Sequence, residues 1–231
     1  MAKKKKEEEF EEVVENHNLN DDVISVSFFD KNKNIILGVA VGLLLVVVAY
    51  FLYQNNQERT ELEAQKALFP AQNAFSTDSL ELMLNGDQAK GVKGVEDIAK
   101  EYSGTDAANL ANFYAGVAKL NKGEFAAAIV NLSEFSSDDL LVQARAYSLI
   151  GDANSELGKS EEAIKFYKKA ADYKPNKEYT PIYLLKLAVA YEGANKTSEA
   201  TEAYNKIVTD YPTAKQAVVA KRYIAKYSVK K

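Results

Sequence analysis

The apolar positions along the chain fall into two regimes. Residues 35–53, IILGVAVGLLLVVVAYFLY, run without a charge, amide, proline or histidine, and at the helical rise they reach roughly 28 Å, about one bilayer core. A buried helix of a soluble protein rarely runs so long without a polar residue, so the pattern predicts a transmembrane helix. From about residue 95 onward the apolar residues instead recur at helical spacing in short segments, punctuated by glycine, asparagine and proline. That pattern predicts pairs of amphipathic helices packed against one another.

The pairs repeat. In the unit 144–177, clearest at LIGDANSELGKSEEAIKFYKKAADYKPN, Gly151 and Ala163 are small, Gly158 marks a tight turn, Tyr147, Leu157 and Tyr167 are large, and Ala170 and Pro175 close the unit. This segment resembles a tetratricopeptide repeat, in which small and large residues alternate where two antiparallel helices touch. On that resemblance the units lie near 109–142, 144–177 and 181–214, with spacings of 35 and 37 residues. In the third unit Ala188, Tyr191, Ala200, Tyr204, Ile207 and Pro212 hold equivalent places and Asn195 replaces the turn glycine; asparagine tolerates the left-handed backbone such turns use. The first has Gly116, Gly123, Phe125, Ala128, Ile129 and Leu132, but ends in FSSDDL without proline. VKGVEDIAKEYSGTDAANLA repeats the theme of YNKIVTDYPTAKQAVVA, so a divergent helix pair is expected upstream. The expected fold is all-α: one N-terminal transmembrane helix followed by an α-solenoid of helical hairpins, with 214–231 as the polar cap that terminal repeats require. Residues 54–75 are expected to form a helical stalk that kinks or stops near Pro70, since proline inside a helix costs about 3 kcal/mol.

Lys31 and Lys33 precede the span, whereas the first basic residues after it are Arg59 and Lys66. This bias places the N-terminus in the cytoplasm and residues 54–231 outside. Phe28 and Phe29 on one side and Tyr50, Phe51 and Tyr53 on the other carry rings suited to the two interfaces. The large residues after the apolar run do not fit a signal-peptidase site, so the segment is expected to persist as an anchor.

Charge narrows the function classes. Residues 1–34 carry six basic and nine acidic side chains, and residues 35–231 carry 23 and 24. No basic field for nucleic acid is present in that balance. The head, KKKKEEEFEEVVENHNLNDD, has the composition of a solvated, largely disordered tail or a transient helix, with the acidic run open to a basic partner. There is no cysteine, and the one histidine, His17, lies in this head. No phosphate-cradling loop, GxSxG elbow or HExxH pair occurs. Asp138 with Asp139, and Glu161 with Glu162, are sequence neighbours that point apart on a helix and do not make a catalytic pair. The chain is expected to be noncatalytic, with no cofactor, metal or small-molecule substrate.

A repeat stack of this family usually presents a concave surface built from the first helix of each pair. The resemblance places there Leu110, Phe113, Val117 and Leu120, then Arg145, Ser148, Asp152 and Ser155, then Ile182, Leu185, Val189 and Glu192. The first and third sets are apolar, which suits an extended or helical apolar partner segment, unless the protein's own helices cover them. Gly38 and Gly42 form a GxxxG that could pack a second helix against the span. The whole plan is similar to membrane-anchored repeat proteins of bacterial inner membranes, including the ancillary subunit beside the Sec translocon and a periplasmic chaperone, and GDQAKGVKGVEDIAKEYSGTDAANLANFYAG looks like such proteins from Bacteroidota. That likeness implies an adaptor for translocon subunits, periplasmic chaperones or client proteins. The YSGT and YPTA junctions also resemble scaffold subunits of outer-membrane and cell-wall assembly machines.

Overall fold

The computed structural model describes the backbone of residues 2–76 and 79–228 and the side chains of 31–74 and 79–227. Two compact units emerge, Met1–Glu58 and Arg59–Lys231. The first consists of the opening part of helix α1 (Ala2–Ser76). Its head, expected as a tail or transient helix, has helical backbone, and in the sequence Lys3, Lys4 and Lys5 each precede a glutamate by four positions, a spacing that supports a helix. The side chain of His17 lies outside the described residues. Across 35–53 the large apolar side chains are 36% to 66% exposed, and this stretch is a candidate membrane span by length and composition.

The second unit is a stack of helical hairpins. It begins with the last turns of α1, then α2 (Leu80–Asn85), a small antiparallel ladder of β1 (Gly86–Asp87) and β2 (Val92–Lys93) around a single 3-10 turn, and α3 (Val95–Glu101). Three pairs follow: α4 (Asp106–Asn121) with α5 (Phe125–Glu134), α6 (Leu140–Glu156) with α7 (Ser160–Asp172), and α8 (Thr180–Gly193) with α9 (Thr197–Asp210), closed by α10 (Lys215–Ser228). The architecture is an all-α solenoid, as the repeat pattern predicts.

Each pair turns in the same way. Gly123, Gly158 and Asn195 take left-handed φ values of 79°, 69° and 60°, a region open to glycine and tolerated by asparagine. The following residue donates its amide to the carbonyl five positions back in all three: Glu124 to Lys119 at 2.8 Å, Lys159 to Asn154 at 2.9 Å and Lys196 to Tyr191 at 2.9 Å. Beyond the turn the helices meet through small residues. A Cβ on Gly116 would lie 2.5 Å from Leu132, and one on Gly151 would lie 2.6 Å from the Tyr167 ring, so only glycine lets these helices approach so closely.

The reading of 54–75 as a stalk is corrected from Arg59 onward, because that part of α1 belongs to the repeat domain. Ala64, Leu68, Ala71 and Ala74 are buried in one cluster with Met83, Val95, Ile98, Ala107 and Ala111. Pro70 sits between them without ending the helix, which continues to Ser76; burial of Ala64 and Leu68 before it and of Ala71 and Ala74 after it offsets the local cost. The junction is fixed by Glu61, whose carboxylate accepts from the amides of Asp106 at 2.7 Å and Ala107 at 3.3 Å. Thr105 Oγ1 accepts from Ala108 at 3.0 Å. The amides at the start of α4, which have no partner within the helix, are thus satisfied by two side chains. The short ladder is the element that the pattern does not announce.

Gly151→Val should destabilise the domain by about 1–3 kcal/mol, because added bulk must displace the Tyr167 ring. Gly193→Ala, where a Cβ meets nothing within 4 Å, should cost nothing; urea unfolding of both variants checks the pair.

Candidate protein interface

The predicted inner face is only partly open. Phe113 and Val117 are buried in a cluster with Leu132, Phe135, Ala146 and Ile150, so the apolar stripe of α4 is covered by the chain's own α5 and α6. Ser148 is buried as well. Leu110, Leu120, Asp152, Ile182, Leu185 and Glu192 are half-buried, and Arg145, Ser155 and Val189 are exposed, Val189 by 49%. These positions therefore split into a core row and an accessible row. Helical spacing cannot separate the two, since both lie on one face of each helix.

Asp152 is committed inside the protein. Its carboxylate accepts from the Tyr167 hydroxyl at 2.8 Å and from Lys186 Nζ at 2.7 Å, joining α6, α7 and α8. Burial, and then the neighbouring Asp152 charge, push the Tyr167 phenol far above its ordinary value. Glu192 accepts from Tyr227 of the closing helix, so α10 reaches the end of the third inner helix. The neighbouring Tyr204 is wholly buried and stacks on Tyr223 at 5.0 Å; burial, then the Glu192 charge, raise its phenol too. Asp139, next to Asp138 in sequence, caps α6 by accepting from the amides of Leu141 at 2.8 Å and Val142 at 3.0 Å. These two bonds hold its carboxyl below the usual range. Glu161 and Glu162 pair with Lys196 and Lys165.

Among the described residues several clefts are accessible. One of about 440 Å³ is lined by Leu185, Lys186, Val189, Ser155, Ala163 and Tyr167; it contains the open part of the predicted third set. A second, about 550 Å³, lies between the end of α1 and α4, with Leu62, Leu68, Phe69 and Leu110 among its walls. Leu62 and Phe69 are 52% and 70% exposed. The third, about 670 Å³, is formed by Leu110, Phe135, Asp138, Val142, Tyr147 and Tyr173 with their neighbours.

The 135–138 loop lines the third cleft, and its backbone is fastened from α4, from α6 and from Tyr173, the residue after α7. Asn109 exchanges two bonds with Ser136 at 2.7 and 3.0 Å, Gln143 Oε1 accepts from the Ser137 amide at 2.6 Å, and the Tyr173 hydroxyl donates to the Ser137 carbonyl at 2.8 Å. Sequence reasoning missed these two clefts. The usable signals were the FSSDDL segment, where turn-forming residues replace the usual proline, and the apolar Leu62 and Phe69 at seven-residue spacing.

Gly38 and Gly42 are uncovered, with no atom within 4 Å of a Cβ built at either. Of the predicted site residues they alone lie in the first unit.

This architecture is that of a protein-interaction scaffold. Residues 27–139 match the model of a tetratricopeptide repeat-like domain, and residues 144–177 and 183–214 each match a tetratricopeptide repeat. The chain is a tetratricopeptide repeat protein, and such repeats serve to bind other proteins and are typically noncatalytic. No curated protein matches it.

Asp152→Ala should cost about 1–3 kcal/mol, since it strands a buried phenol hydroxyl. A second expectation concerns pH. Tyr167 and Tyr204 have raised folded pKa values, so the stability they carry is full below the unfolded value near 10 and declines as pH rises toward the folded one. Between those limits each buried phenol lowers stability by about 1.4 kcal/mol per pH unit. Unfolding midpoints measured above pH 10 should fall less steeply in Tyr167→Phe than in the native chain.

Proposed function

We propose that this protein is a single-pass, membrane-anchored adaptor that holds partner or client proteins on its repeat domain. Residues 35–53 would cross the bacterial inner membrane, with the N-terminus in the cytoplasm and the repeats in the periplasm. The observation that carries this reading is the pairing of a wholly uncovered apolar helix with a repeat stack in one chain. Apolar side chains left bare over nineteen residues need a lipid or protein surface around them. The lysine bias before the span supports the orientation.

On the repeat domain, the cleft around Leu185 and Val189 and the groove of Leu62, Phe69 and Leu110 are the surfaces offered to a partner. Both combine apolar walls with polar rims, the composition of peptide-binding grooves. The likeness to the ancillary Sec subunit and to a periplasmic chaperone gives the client class: translocon subunits, chaperones or chains emerging on the outer face of the membrane. A fold alone does not fix the cargo, so the partner set is what the experiment reads.

Quantitative mass spectrometry of proteins co-purified in mild detergent should show translocon or chaperone partners. Replacing residues 35–53 with an unrelated span should remove them if the span, through Gly38 and Gly42, makes specific contacts. Enrichment of envelope-assembly proteins that survives the replacement would instead support a tethered scaffold and sink the Sec reading. Val189→Asp should reduce recovery of partners held on the repeats several-fold without changing helical content by circular dichroism.

A further inference from the structure

The last helix concentrates one sign of charge. Residues 211–231 hold six basic and no acidic side chains, whereas residues 35–210 hold 17 basic and 24 acidic ones. On α10, Lys215, Lys221, Arg222 and Lys226 are all exposed. Lys215, Arg222 and Lys226 are spaced seven and four residues apart, which sets them in one row along the outer face. Ala217 and Ala220 face inward and are buried.

The row has no internal neutralisation. Elsewhere in the domain lysines find carboxylates: Lys93 with Glu101, Lys119 with Glu96, Lys122 with Glu81, Lys186 with Asp152 and Lys196 with Glu161. Among the described residues Lys215, Lys221 and Arg222 have no ion-pair partner. Lys226 lies over the rings of Tyr223 and Tyr227, at 5.6 and 6.0 Å, which holds its charge at the surface without cancelling it. Like charges four apart disfavour a helix, so a terminal cap needing only solubility would be better served by mixed signs. Beside the row Val218 is 63% exposed, and the three clefts described above are lined by other elements.

We propose that this face of α10 docks on an anionic phospholipid surface. The match is one of charge and shape: a convex cationic row with a small apolar side chain at its margin meets a broad negative sheet, not a pocketed ligand. An acidic protein segment would offer the same charge, but it would be expected to meet a groove, and this face is the outside of the last helix. The proposal rests on the membrane reading given above, which places a bilayer at hand.

The absence of native cysteine makes Val218→Cys a single labelling site on the full-length chain. The labelled protein is reconstituted into nanodiscs of zwitterionic lipid, or of the same lipid with phosphatidylglycerol added, each carrying a headgroup-level quencher. Quenching should be several-fold stronger in the anionic discs and should fall with added salt, as the screening length shortens. It should be lost in the triple variant Lys215→Glu, Lys221→Glu, Arg222→Glu, whose fold is checked by circular dichroism. Equal quenching in both lipids, or quenching indifferent to charge reversal, overturns the docking proposal. Anionic-lipid-independent binding of α10 to a co-purified acidic protein, again abolished by the triple variant, also overturns it in favour of a protein partner. Failure of the chain to enter nanodiscs at all overturns the membrane reading itself, an outcome seen before any quenching is measured.

Discussion

The distance between the two helices of each hairpin is the constraint on which the domain depends. Gly116 lies against Leu132 and Gly151 against Tyr167, each close enough that a Cβ could not be added without displacing its neighbour. Ala188 and Tyr204 hold the corresponding places in the third pair, both with no exposed surface. Protein interiors pack at crystal density, so a contact set at backbone-to-ring distance leaves little freedom in how the next pair stacks. The left-handed turns at Gly123, Gly158 and Asn195 serve the same end by reversing the chain in one fixed geometry.

Polar groups then tie one pair to the next. Asp152 binds Tyr167 in its own hairpin and Lys186 in the following one, and Glu161 meets Lys196 across the same boundary. Asn109 grips the loop that leads into α6. At the start of the stack Glu61 from α1 satisfies the first amides of α4. Partly buried contacts of this kind add modestly to stability but penalise any alternative register that leaves them unmatched. Asp152 and Glu192, inner-face residues by position, already have partners within the chain, whereas Leu185, Val189 and Leu110 line accessible clefts.

Electrostatics separates the ends of the chain by role. The repeat body carries more acid than base and pairs Lys93, Lys119, Lys122, Lys186 and Lys196 internally, while among the described residues Lys215, Lys221 and Arg222 of α10 have no ion-pair partner. A protein-interaction scaffold works through its surfaces, such as grooves that admit side chains of a partner.

The sequence by itself determined the uncovered apolar helix, the hairpins and their turns. The first follows from nineteen residues without a polar side chain, the others from glycine, asparagine and small residues recurring at 35 and 37 positions, all of which are local chemistry. Only the tertiary structure decided which apolar residues are core. Val117 and Val189 hold equivalent positions on α4 and α8, yet one is buried in the cluster with α5 and α6 and the other stands open. Likewise Pro70 reads as a stop until Ala71 and Ala74 are seen buried beyond it, and FSSDDL by itself does not announce the bonds from Asn109, Gln143 and Tyr173 that fasten the 135–138 loop. Periodicity states which face of a helix is apolar; what lies across from that face depends on residues distant in the chain, and no local pattern encodes it.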